Sequence, residues 1–244
     1  MRALARRGLV AAGVVALATA AAGCGGGGTS STATRASRVV APAARRVLAA
    51  RLAYRQLFTL PAAVQDPAIA AVGGGRFALL GGLDAADGST ASVVLADLKA
   101  ELRRGSLPGP QHDAQAAVLA GKVYVFGGGY LTELDHILSY DPGSDAVGPA
   151  GTLPTASSDV AVAASGGSAY VVGGFDGSAW LDTILAWRSG APARVAARLP
   201  VGLRYAAAAS VGRVLLILGG STPSGASRAI YRFDPAAGTV QRIG

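Results

Sequence analysis

Arg76-Phe-Ala-Leu-Leu-Gly-Gly82, Lys122-Val-Tyr-Val-Phe-Gly-Gly128, Ser168-Ala-Tyr-Val-Val-Gly-Gly174 and Val214-Leu-Leu-Ile-Leu-Gly-Gly220 are four copies of one phrase, an apolar run closed by a glycine pair. Their first glycines, Gly81, Gly127, Gly173 and Gly219, stand 46 residues apart at every step. A second marker, Leu-Pro, travels with the phrase at Leu60-Pro61, Leu107-Pro108, Leu153-Pro154 and Leu199-Pro200, with steps of 47, 46 and 46. Two unrelated markers on one period define a repeat. A period in the forties made of short, turn-separated apolar segments predicts a radial β array with one propeller blade per repeat.

Each repeat resolves into four strands. A small-residue segment comes first, at Ala68–Val72, Ala114–Val118, Val160–Ala164 and Ala206–Ser210. Alanine is a poor strand former, and its use fits innermost strands that crowd around an axis. Glycines follow at Gly74-Gly75, Gly121, Gly166-Gly167 and Gly212, as a tight hairpin requires. The Gly-Gly strand is second, and its unbroken hydrophobicity suits a strand covered on both faces. A variable polar loop leads to a third strand with an aromatic near its end, at Ile137–Tyr140, Ile184–Trp187 and Ile230–Phe233, with Val93–Leu98 as the weakest copy. The turns Asp141-Pro142-Gly143 and Asp234-Pro235 lead to an outermost strand. Residues 47–58, ahead of the first Leu-Pro, are read as a lone outer strand awaiting a partner blade.

Charge divides the chain. Residues 1–55 hold nine Arg and no acid, whereas residues 56–244 hold eleven Arg and two Lys against fourteen Asp and Glu. The folded part is therefore near neutral, and the net charge of +8 belongs to the leader and linker. That distribution argues against a nucleic-acid partner. The chain has no Asn, hence no N-glycosylation acceptor.

Arg2, Arg6 and Arg7 precede the apolar run Gly8–Ala20, the pattern of an export signal too short to span a membrane. Ala21-Ala22-Gly23-Cys24 resembles the lipobox at which bacterial lipoproteins are cut and lipidated, with Ala21 standing where Leu is usual. Cys24 is the single cysteine of the chain. The expected organisation is a signal peptide at 1–23, lipidation at Cys24, a flexible Gly/Ser/Thr-rich linker at 24–46 and a propeller domain at 47–244. Lipidation would make the protein extracytoplasmic and membrane-tethered. Arginines 35 to 55 then lie on anionic headgroups or in a solvated linker.

The glycine pairs after apolar strands, Tyr140-Asp141-Pro142 with its variant Phe233-Asp234-Pro235, Leu134-Asp135, Leu181-Asp182 and the Leu-Pro openings resemble the kelch repeat family over residues 58–244. Val147 and Val240 replace that family's outer-strand Trp, and the Arg expected after Leu-Pro is mostly absent. The resemblance implies an all-β, kelch-type β-propeller with four visible repeats of about 46 residues. Kelch propellers commonly carry six or seven blades. Continuing the period puts the next Leu-Pro just past Gly244, so the repeats either close as a four-blade ring or form the front of a larger propeller; the incomplete form is the expectation.

In such propellers the loops entering the inner strands meet the loops after Gly-Gly on one face. The first set supplies Gln65-Asp66, His112-Asp113, Ser158-Asp159 and Arg204-Tyr205 in register; the second supplies residues 84–90, 130–136, 175–182 and 221–228. The candidate ligand face is His112, Asp113, Tyr130, Asp135, His136, Asp159, Phe175, Trp180, Arg204 and Tyr205. Asp66, Asp113 and Asp159 have a second reading as braces between adjacent blades. No metal site, cofactor or catalytic residue is assigned, and no P-loop, G-x-S-x-G or dinucleotide fingerprint occurs. Galactose oxidase-like chemistry is excluded, because the domain has no cysteine for the Tyr-Cys crosslink. The expected function is a binding module for a glycan or an extracellular protein. The alternative is a carbohydrate-active enzyme, a sialate mutarotase-like protein or a hydrolase, with Glu133 as its acid–base candidate.

Overall fold

The computed structural model describes residues 53–244. The expected signal peptide, Cys24 and most of the expected leader and linker region lie outside the described residues. Ala53–Gly244 forms one compact unit.

The architecture is all β among the described residues. Blade one is β1 (Ala68–Gly73), β2 (Arg76–Leu80), β3 (Thr90–Ala96) and β4 (Glu101–Gln111); blade two is β5 (Gln115–Leu119), β6 (Lys122–Phe126), β7 (His136–Tyr140) and β8 (Val147–Thr152). Blade three is β9 (Ala161–Ser165), β10 (Ser168–Val172), β11 (Thr183–Trp187) and β12 (Arg194–Arg198). In blade four, β13 (Ala207–Val211) and β14 (Val214–Leu218) are followed by a small hairpin, β15 (Ser221–Thr222) with β16 (Gly225–Ala226), then by β17 (Ile230–Asp234) and β18 (Thr239–Arg242). Each blade is an antiparallel meander in chain order. The alanine-rich strands β1, β5, β9 and β13 line a common cavity of about 350 Å³, which explains their composition: larger side chains would fill the axis.

Packing follows the repeat. One apolar cluster joins blades one and two, a second joins two and three, and a third joins three and four. At the second seam Trp187 of β11 meets Tyr124 of β6 with ring centroids 4.8 Å apart; at the third, Phe233 of β17 meets Tyr170 of β10 at 5.4 Å. Tyr140, the equivalent residue of β7, is buried in the first seam's cluster, which also holds Ala78. Such edge-on aromatic pairs contribute roughly 0.5–1.5 kcal/mol beyond the area they bury.

The paired glycines have separate duties. The first faces the next blade: a Cβ at Gly127 would strike the Ser157 carbonyl, and one at Gly173 the Leu203 carbonyl. The second faces its own entry loop, against the carbonyls of His112 and Ser158 at Gly128 and Gly174, while its N–H bonds the next entry loop, from Gly128 to Ser157 O at 2.9 Å and from Gly174 to Leu203 O at 2.8 Å.

The arc is open. Among the described residues no apolar cluster joins blade four to blade one. Leu215 and Ile217 of β14 are fully buried against blade three, whereas Val214, Leu216 and Leu218 on its other face are only partly buried. A Cβ on Gly219, the fourth first-glycine, meets nothing closer than Ser227 O at 3.6 Å. Residues 53–58 are not a strand, a correction to the expectation for 47–58, whose earlier part lies outside the described residues. A blade's outer strand forms on its third strand, and among the described residues every third strand is already paired with its own fourth strand; instead Phe58 stacks near Phe77, centroids 6.3 Å apart.

Candidate binding face at the channel mouth

The four entry loops place one residue each at equivalent positions: Asp66, Asp113, Asp159 and Tyr205. All four adopt positive φ, between 50° and 57°. Each is tied to the next by one backbone hydrogen bond. Asp113 N–H donates to Asp66 O (3.2 Å), Asp159 N–H to Asp113 O (2.9 Å), and Tyr205 N–H to Asp159 O (3.0 Å). Asp tolerates this left-handed conformation better than most residues. Tyr does not, so Tyr205 holds backbone strain of about 1–3 kcal/mol at an exposed point of the series.

The brace and the ligand-face readings of these residues are thus compatible: the backbone links the blades while the same residues line a shared pocket. That pocket, of about 160 Å³, is lined by Asp66, Asp113, Asp159 and Tyr205, together with Ala114, Gln115, Val160 and Ala206. Local bridges bring the aromatics alongside it. Phe175 pairs with both Ser158 and Trp180, and Arg204 pairs with Ser221, so the loops after Gly-Gly fold back over the entry loops.

Arg204 organises one side of the mouth. Its Nε donates to Asp159 Oδ2 at 2.5 Å, and its guanidinium lies 4.1 Å from the Phe175 ring centre, 5.2 Å from Tyr205 and 5.4 Å from Trp180. The Asp159 side chain is 1% exposed. Its Oδ1 is buried and has no hydrogen-bond partner. A buried carboxylate needs this cationic partner, because an isolated one is strongly disfavoured away from water.

Asp113 shows the electrostatic cost. Burial, then the carboxylates of Asp159 and Asp66, push its pKa up to about 7, only partly opposed by Arg204. Burial and the same Asp159 and Asp113 charges also raise the Tyr205 phenol.

His112 adjoins this group, its Nε2 3.7 Å from Asp113 Oδ2 and its Nδ1 2.8 Å from Ser89 Oγ. Ser89 is a residue that sequence reasoning missed; only its place in the loop after the first Gly-Gly marked it. His136 goes elsewhere. Its Nε2 donates to Oε1 of the fully buried Gln111 at 2.7 Å, an inter-blade bond, and burial lowers its pKa, which keeps the ring neutral. Asp135 accepts the Leu153 N–H through its backbone carbonyl at 2.6 Å. Tyr130 is half-exposed on blade two, and Glu133 lies against Gly177 of the neighbouring loop. The structure therefore gathers Asp113, Asp159, Phe175, Trp180, Arg204 and Tyr205, places His112 at their edge, and directs His136 to the seam between blades. Among the described residues no group of three or more His, Cys, Asp or Glu is arranged to hold a metal ion.

No family model and no curated protein matches the sequence. Among solved structures, that of YjhT aligns with a TM-score of 0.68 over 78% of this chain and 68% of its own length, at 17% identity. The fold is a kelch-like β-propeller. At that identity the likeness speaks for the fold, and function must come from the site.

Proposed function

We propose that this propeller is a binding module that takes a glycan at the mouth of its axial channel. The observation that supports this reading is the arrangement around Arg204: a guanidinium fixed on Asp159 and flanked by Phe175, Trp180 and Tyr205, beside a pocket lined by carboxyl groups. Aromatic faces pack against the C–H faces of sugar rings, and adjacent carboxylates accept directional hydrogen bonds from hydroxyls. We further propose that Cys24 anchors the protein at the outer face of the membrane, which would present the mouth to extracellular ligands. Screening the purified protein against immobilised glycans tests the binding reading. Retention of a defined glycan by the wild type and its loss in Tyr205→Ala is the expected result; retention only of protein partners would overturn it.

Asp113 favours one second reading, a carbohydrate-active enzyme. A carboxyl with a pKa of about 7, beside His112 and Tyr205, is tuned for proton transfer near neutral pH and is a better acid–base candidate than Glu133. Anomer interconversion of a reducing sugar, followed by NMR and abolished in Asp113→Asn, would favour the enzyme. Binding without turnover favours the module.

A further inference from the structure

The mouth has an uncompensated charge. Asp66, Asp113 and Asp159 line one small pocket, and Arg204 is their one cationic neighbour on the Asp159 side. Arg204 occupies Asp159 Oδ2, and Asp66 Oδ2 accepts a hydrogen bond from the neutral Gln65 amide at 3.1 Å. Asp159 Oδ1 stays buried and unpartnered. A buried carboxylate oxygen in this state lacks a donor, and a cationic donor would also offset the neighbouring carboxylates. In the free protein a proton meets the need, since Asp113 retains its own up to about pH 7.

We infer that the mouth pocket takes a primary ammonium group, presented by an amino sugar and held among Asp66, Asp113 and Asp159 Oδ1 beside the ring of Tyr205. The inference rests on the glycan reading above. An ammonium group offers three donors from one point charge, matching three carboxyl groups in a pocket of about 160 Å³. The Tyr205 ring, 56% exposed at the rim, offers a face to the cation or to the sugar that carries it. The same charge excludes carboxylated sugars, which would face three acids with Arg204 already neutralised.

Binding is then linked to a proton. The charged and titratable groups facing Asp113 are Asp66, Asp159, Arg204, His112 and Tyr205. Ammonium arriving among them favours the ionised form of Asp113, so binding near neutral pH expels its proton into the buffer.

The test is calorimetry on the full chain in detergent with three tetrasaccharides: β-1,4-linked glucosamine, its N-acetylated form, and galacturonate. The expected result is an affinity for the free amine about tenfold or more above that for the N-acetyl form. A buffer-dependent heat at pH 7, lost in Asp113→Asn, is expected with it. Asp66→Asn should reduce the preference for the amine while leaving the thermal melt unchanged. Equal binding of the amine and N-acetyl forms, or preference for galacturonate, overturns the ammonium inference and leaves the glycan reading intact. A simple diamine, putrescine, bound as tightly as the glucosamine tetramer would support the ammonium site and overturn the glycan reading. Failure of every ligand to bind overturns both.

Discussion

The backbone N–H of Asp159 donates to the carbonyl of Asp113 at 2.9 Å, and both side chains line the same pocket one blade apart. The bond that joins two blades thereby forces two carboxyl groups together. One of them responds by holding its proton.

This makes stability depend on pH in a defined direction. The folded-state pKa of Asp113 is raised to about 7 from an unfolded value near 3.8, so the folded form binds the proton more tightly. Its favourable contribution is complete below about pH 4 and is lost as pH rises through about 7. Melting temperature measured between pH 5 and 8 should fall by several degrees in the wild type. In Asp113→Asn this component should be absent, because the amide has no proton to lose. Equal slopes in the two proteins would show that the carboxyl groups are not coupled.

Arg204 is the counterweight to Asp159. Arg204→Ala leaves a carboxylate with 1% side-chain exposure without its cation, and chemical denaturation should report a loss of about 3–5 kcal/mol. Removing both charges in Arg204→Met/Asp159→Asn should recover most of that loss. A double variant as unstable as the single one would place the stability in the packing of Arg204 on Phe175 and Trp180 instead.

The glycine seams distinguish filled from unfilled blade faces. Gly127→Ala drives a methyl group into the Ser157 carbonyl and forces an L residue to positive φ, and should cost a few kcal/mol. Gly219→Ala carries the same φ problem, near 63°, but its Cβ meets only Ser227 O at 3.6 Å, so about 1 kcal/mol is expected. Equal losses in urea titrations would mean that a further blade covers Gly219.

Anchoring turns on one atom. Changing Cys24 to Ser removes the only thiol of the chain, and should release the protein from the membrane fraction or leave an unprocessed precursor of higher mass. Unaltered fractionation and mass would contradict the lipid anchor.

Periodicity made much of the fold legible. The glycine pairs located the four second strands, and the alanine runs located the inner ones to within a residue or two. The register of the Asp residues marked Asp66, Asp113 and Asp159 as equivalent positions, and the structure joins them by backbone hydrogen bonds. His136 was not legible, because its partner Gln111 belongs to the preceding blade and no sequence pattern links the two. Ser89 escaped for the same reason: its hydrogen bond to His112 spans two repeats, and its loop, though it recurs in every repeat, has a different sequence each time.

The sequence by itself determined the blade. A 46-residue period, alternating small, apolar and aromatic segments and paired glycines are local properties of the chain, and each blade's meander follows from them. Tertiary structure alone decided what lies between blades. Trp187 fits over Tyr124, Gly173 admits the Leu203 carbonyl, and Arg204 reaches Asp159 because adjacent blades bring residues far apart in the chain into contact. The raised pKa of Asp113 belongs to that second class. It arises from burial and from charges supplied by other blades, Asp66 on one side and Asp159 on the other, which only the assembled arc brings within range.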